Sequence, residues 1–198
     1  LRCVDTLFHG CWNTPEGATV EETIAHGRRV VAEPGLIPRE ASGVDNLSRV
    51  DLVHILGGGY INGIWPKHLA LLGAAAEIGE RYGARVAMTG AGLTPLPEDT
   101  GALGEVLGRF DVVDLRDEES LAAVSGQVAH ATLIGDDAFL TTGNHLFDRS
   151  PGAGTVLCLQ SDLLEVSLAE IADYVVRTLR AWGVDQERVT LVECLPPN

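Results

Sequence analysis

Positive charge is scarce in this sequence. Fourteen basic residues face 28 acidic ones for a net charge of -14, and Lys67 is the single lysine among the fourteen. That balance speaks against a protein that holds nucleic acid by broad phosphate neutralisation, and against one held to anionic lipid by a basic face. The preference for arginine over lysine reads as a coding bias, not a site. Long apolar runs are missing too: nothing approaches the roughly 18 to 20 residues of a membrane span. No charged, apolar and small-residue series opens the chain as a secretory leader would. The four cysteines, Cys3, Cys11, Cys158 and Cys194, include no C-x-x-C pair. Reduced thiols in a cytoplasmic protein are therefore expected, not a disulfide framework. With no H-x-x-x-H pair or histidine/cysteine cluster, no metal is expected; with no G-x-S-x-G elbow, neither is a hydrolase triad of that type.

Apolar residues are plentiful, at 45% of 198, and they fall into an alternation of short strands and amphipathic helices. Cys3 to Phe8 reads as a strand. Thr19 and Glu22 have capping-box spacing before a helix reaching Val31, which Pro34-Gly35 and Pro38 break. Asp51 to Leu56 reads as a buried strand, with His54 a hydrogen-bonded core histidine, running into Gly57-Gly58-Gly59. Pro66 suits the first turn of the next helix and Gly83 its C-terminal cap. Inside that helix Leu69, Leu72 and Ala76 form one stripe and Leu71, Ala75, Ile78 and Tyr82 another, so it should be buried broadly. Arg85 to Met88 is a strand ending in Gly90-Ala91-Gly92. A helix opening on Glu98 and Asp99 turns Leu103, Val106, Leu107 and Phe110 inward. Asp111 to Leu115 is a strand ending in Arg116-Asp117-Glu118-Glu119-Ser120; a short helix follows, then Ala131 to Ile134 ending in Gly135-Asp136-Asp137. Strands and helices alternating through such short connections predict an α/β fold: a parallel, Rossmann-like sheet with right-handed crossovers.

The character changes over residues 141–154, where glycine, proline and polar residues gather. We expect an N-terminal Rossmann-like domain over 1–142, a linker over 143–154, and a second such domain beginning at 155 and only partly present by 198. Its βαβ unit comprises a strand at Thr155 to Leu159, a helix with a Ser167/Glu170 capping box and inward Leu168, Ile171, Val175, Leu179 and Trp182, and a strand at Arg188 to Cys194.

In open α/β sheets ligands bind at the carboxyl ends of the strands. Four such ends here carry glycine-rich or polar clusters. Gly57-Gly58-Gly59, with Asn62 five residues on from the first of them, leads into a helix and could bring backbone N–H groups close to an anion; a tight turn is the plainer alternative. It is neither the G-x-G-x-x-G fingerprint nor a G-x-x-x-x-G-K-[ST] phosphate loop. Gly90 and Gly92 allow a weaker form of the same argument. Arg116 could grip a carboxylate or phosphate in bidentate fashion, or pair with Asp117 or Asp137 and hold loops. Ser120 is a ligand hydroxyl or a local cap. Asp136 and Asp137 could hold a sugar hydroxyl or act as a general base, or form an Asx turn. His9 and His68 lie near expected strand ends.

Taken in order, Gly57-Gly58-Gly59, Gly90-Ala91-Gly92-Leu93-Thr94-Pro95, Arg116-Asp117-Glu118-Glu119-Ser120 and Asp136-Asp137-Ala138-Phe139 resemble the polysaccharide pyruvyl transferase family, over about residues 50–140. The resemblance implies two Rossmann-like domains arranged as in GT-B glycosyltransferases. It also implies transfer of a pyruvyl group from phosphoenolpyruvate to two hydroxyls of a glycan acceptor, giving a ketal, with phosphoenolpyruvate as donor substrate and no cofactor. On that basis Arg116, Asp136 and Asp137 are expected to be catalytic. Gly57, Gly58, Gly59, Asn62, Gly90, Gly92, Asp117 and Ser120 are expected to bind substrate. The family's glycine-rich first strand-loop is not found here, nor is its late Arg-x-His element, so the general acid is expected outside this sequence. A nucleotide-sugar-dependent GT-B glycosyltransferase and a non-catalytic glycan-binding scaffold share the fold argument.

Overall fold

The computed structural model describes residues 13–38, 41–143, 154–159, 166–184 and 188–193. The strand expected over Cys3 to Phe8, together with His9, falls outside them. The chain divides into two compact units, Leu1–Asn144 and His145–Asn198.

The first unit begins with α1 (Val20–Ala32). Its N-terminus is closed by the expected capping box: the Glu22 N–H donates to Thr19 Oγ1 at 3.2 Å, and the Thr19 N–H donates to the Glu22 carboxylate at 2.8 Å. A seven-residue α2 (Ala41–Leu47) follows, which the pattern of breakers around Pro38 had not suggested. Then come β1 (Leu52–Gly58), a 3-10 turn (Pro66–Leu69), α3 (Ala70–Tyr82), β2 (Arg85–Ala91), α4 (Thr100–Leu107), β3 (Val112–Leu115), α5 (Glu118–Val124), β4 (Ala131–Leu133) and a second 3-10 turn (Asp137–Gly143). The four strands are parallel in the order β1-β2-β3-β4.

This sequential order has a consequence. Successive right-handed crossovers that always step the same way place their helices on one face of a sheet. Ile55, Val86, Met88, Val113 and Leu115 are accordingly buried with Leu72, Ala75, Leu103 and Leu107 of the helices. The alternate strand positions Leu52, His54, Leu56 and Val112 are exposed. His54 is thus hydrogen-bonded as expected, but it lies on the open face and not in the core.

α3 is buried almost all round because it is covered twice, by the sheet on one side and by α1 on the other. The α1 contact is made backbone to backbone. A Cβ at Gly27 would stand 1.8 Å from the Ala70 carbonyl oxygen, and one at Gly73 would stand 1.9 Å from that of Ile24. Around this seam Arg28 pairs with Glu80 at 2.5 Å and with Glu77 at 3.5 Å, and Arg109 of the α4–β3 turn bonds the same Glu80. Gly83 ends α3 in the left-handed region, φ 76°, as its place in the sequence suggested.

The second unit, by itself, is a parallel pair, β5 (Thr155–Leu159) and β6 (Val189–Glu193), connected through α6 (Leu168–Ala181). The Ser167/Glu170 capping box is present. Leu179 is buried and Ile171 and Val175 are half-buried, but Leu168 and Trp182, expected inward, are 70% and 75% exposed. The two described strands offer too little surface to cover the whole apolar stripe of a four-turn helix.

Candidate functional site

The carboxyl ends of the four strands are level. Gly58 pairs with Ala91, Ala91 with Leu115 and Leu115 with Leu133, so the loops that follow emerge side by side. The strands run further than the sequence suggested, and Gly57, Gly58 and Gly90 belong to them. Their lack of a side chain is used for close approach: a Cβ on Gly57 would be 2.3 Å from the Gly90 carbonyl oxygen, and Gly90 itself has φ +60°.

The turn after β1 is held mainly from within. Asn62, 2% exposed, donates through Nδ2 to the Gly59 carbonyl at 2.6 Å, and its Oδ1 accepts the N–H groups of Ile64 at 2.9 Å and Trp65 at 3.3 Å. Its amide is engaged by the backbone at both ends, which makes it a turn-former. The Gly92 N–H donates to the Gly58 carbonyl at 3.0 Å, and the Gly63 N–H to that of Pro95 at 2.8 Å, so the turns after β1 and β2 are tied together. His68, in the first 3-10 turn, is buried, with Nδ1 2.9 Å from the Tyr60 carbonyl.

The segment after β3 is built in the same way. Asp117 is the N-cap of α5 and accepts the Ser120 N–H at 2.7 Å. Ser120 is fully buried and its Oγ accepts the Leu93 N–H at 2.8 Å, stapling the start of α5 to the loop after β2. Of the expected ligand groups, Asn62, Asp117 and Ser120 therefore carry internal bonds. Arg116 lies beside them. Its guanidinium lies across both glycine turns: a Cβ on Gly92 would meet Nε at 2.5 Å, and one on Gly59 would meet Nη2 at 3.1 Å. Nη1 donates to Asp136 Oδ2 at 3.2 Å, and Asp117 Oδ2 is 3.9 Å from Nε, an ion pair beyond hydrogen-bond distance. The side chain is 36% exposed. Gly59 and Gly92, read from the sequence as room for an incoming anion, make room first for this cation.

The two aspartates after β4 differ. Asp136 forms an Asx turn, accepting the Ala138 N–H at 2.9 Å. That N–H lowers its carboxyl below the ordinary range; slight desolvation opposes this and the Arg116 hydrogen bond adds to it. Asp137 reaches back across the sheet. Its Oδ2 accepts the Gly57 N–H at 2.9 Å and the Thr89 hydroxyl at 2.8 Å, while its Oδ1 is buried without a hydrogen-bond partner. So the Gly57 N–H, expected to face an external anion, meets a carboxylate of the chain itself. The pattern of glycines could not have disclosed that, because the partner is 80 residues away. Tyr60 is raised above the usual phenol range by burial and by the nearby Asp137 charge. Its hydroxyl donates to the Leu56 carbonyl at 2.7 Å.

No protein-family model, curated protein or solved structure matches this chain. Among the described residues no group of three or more His, Cys, Asp or Glu side chains is placed to hold a metal ion. Among those residues, too, no helix is long and apolar enough to cross a membrane.

Proposed function

We propose that this chain carries the donor site of a transferase that moves a pyruvyl group from phosphoenolpyruvate to a pair of hydroxyls on a glycan acceptor. The observation that supports this best is the place of Arg116, a guanidinium held over two glycine turns at the level ends of a parallel sheet. Phosphoenolpyruvate is small, planar at its carboxylate and multiply anionic, and a guanidinium fork matches such groups in bidentate fashion. The chain's charge of -14 repels the donor at long range. The attraction must therefore be local, which concentrates it on Arg116.

In the reaction a proton is added to the methylene carbon of the donor and a sugar hydroxyl attacks its central carbon. Phosphate then leaves, and the second hydroxyl closes the ketal. Cationic stabilisation of the phosphate and carboxylate falls to Arg116. Asp136, held anionic by the Ala138 N–H and Arg116, is a weak base and serves as counter-ion to the arginine. Asp137, held by the Gly57 N–H and the Thr89 hydroxyl, is the other candidate base for a sugar hydroxyl. The family resemblance adds a GT-B-like pairing of two Rossmann-like domains, with no cofactor beyond the donor itself, and the cysteine pattern adds a cytoplasmic setting.

Calorimetric titration with phosphoenolpyruvate and, separately, with nucleotide sugars tests this reading. Binding of phosphoenolpyruvate is expected, weakened about 10- to 100-fold in Arg116→Ala, the loss of one or two charge-assisted hydrogen bonds. The melting temperature should change little, because the Arg116–Asp136 pair is partly exposed. Binding of nucleotide sugars alone would replace this function with glycosyl transfer.

A further inference from the structure

Three side chains make a hydrogen-bonded line from the open face of the sheet to the strand ends. His54 Nε2 is 2.9 Å from Thr89 Oγ1, and Thr89 Oγ1 donates to Asp137 Oδ2 at 2.8 Å. We infer that His54 is a positioning residue for the Asp137 carboxylate, acting through the Thr89 hydroxyl, so that a side chain on the open sheet face fixes how Asp137 is held at the strand ends.

The direction of the line follows from counting protons. A threonine hydroxyl has one proton to give, and Thr89 gives it to Asp137. Towards His54 it can therefore only accept, so Nε2 must carry a proton in both the neutral and the charged ring. Hydrogen bonds in series with a common direction polarise one another. Asp137 depends on this line. Its Oδ1 has no donor, and its Oδ2 has the Gly57 N–H and the Thr89 hydroxyl. Loss of the Thr89 hydroxyl would leave the carboxylate on a single N–H, free to turn away from Gly57 and Gly90.

Among the described residues the charged and polar groups around the line are engaged elsewhere. On the open face of β2 Arg85 is bonded to Asp111, on β3 Asp114 is bonded to Thr132, and Tyr60, near Asp137, directs its hydroxyl to Leu56. Thr89 is the described side chain that joins His54 to Asp137.

The test has two arms, both on the full chain. Long-range proton–nitrogen correlation of the neutral His54 ring should show the Nε2–H tautomer almost alone in the wild type and in Thr89→Ser, and a larger share of Nδ1–H in Thr89→Val. A ring protonated on Nδ1 in the wild type, or an unchanged tautomer in Thr89→Val, overturns the inference. The second arm follows the Gly57 amide proton, the other donor on Asp137 Oδ2. Its chemical shift should move in Thr89→Val and in His54→Ala, and return towards the wild-type value in His54→Gln, which keeps a donor. A Gly57 amide unchanged in His54→Ala overturns the inference.

Discussion

Asn62 sits at 2% exposure with three backbone groups on its amide: the carbonyl of Gly59 and the N–H groups of Ile64 and Trp65. Removal of that amide strands these groups in a place water reaches poorly, at a cost of about 1 to 3 kcal/mol for each buried group left without a partner. Asn62→Ala should therefore lower unfolding stability by about 3 kcal/mol or more, read from urea denaturation. A loss of donor affinity at unchanged stability would instead make Asn62 a ligand contact. Ser120 is of the same kind. Both residues stood among the substrate-binding candidates because polar side chains near glycines at strand ends look alike in a sequence, whether they bind a ligand or a loop. Arg116 differs in having Nε and Nη2 beyond hydrogen-bond distance of the acid groups beside it, with its single described hydrogen bond on Nη1. That distinction depends on distances, and spacing in the sequence carries none.

At the level of elements, the tightest fit is between α1 and α3. Gly27 and Gly73 each put a backbone where the next helix has a carbonyl, with 1.8 and 1.9 Å between that oxygen and a hypothetical Cβ. Backbone cannot move aside as the end of a flexible side chain can. Gly73→Ala should cost about 3 kcal/mol or more by forcing the helices apart; it also raises helix propensity by up to about 1 kcal/mol, which offsets part of this. A thermal midpoint equal to or above the wild type's would show that the seam is looser than described. The two apolar stripes of α3 were legible in the sequence as a demand for broad burial. Which element meets that demand on the side away from the sheet was not, since glycines in an amphipathic helix also read as mere weakening of it. α2 escaped notice for the opposite reason: Gly43, Asp45 and Asn46 are poor helix formers, and burial of Val44 and Leu47 sustains it.

For the molecule as a whole, acid is the informative stress. Glu22 is lowered by the backbone N–H and hydroxyl of Thr19, and Asp111 by the Val86 N–H and Arg85. Asp136 is lowered by the Ala138 N–H, and Glu170 by the hydroxyl and N–H of Ser167. A carboxyl held low in the folded state binds fewer protons there than when unfolded. Its stabilisation is complete above the unfolded value, about 4, and is lost as pH falls through the folded one. Comparison with Glu22→Gln isolates one such group from the general relief of negative charge. The urea midpoint of the wild type should exceed that of the variant at pH 6 to 7, and the gap should close as pH drops below about 4. A gap that widens in acid would reverse the assigned sign.

Local order was readable in the residues themselves. Both capping boxes, the Gly83 cap, the alternation of parallel strands with helices, and the gathering of polar loops at one end of the sheet depend on spacings within a few residues, where chain geometry leaves little choice. The open face, the position of His54 on it, the backbone seam between α1 and α3, and the bond from Gly57 to Asp137 belong to tertiary structure. They depend on strand order and on groups up to 80 residues apart. A parallel sheet can take its strands in several orders with the same local pattern. The order β1-β2-β3-β4 put the helices on one face, left His54 outside, and brought an aspartate of the chain to the glycine turn where a ligand's anion was expected.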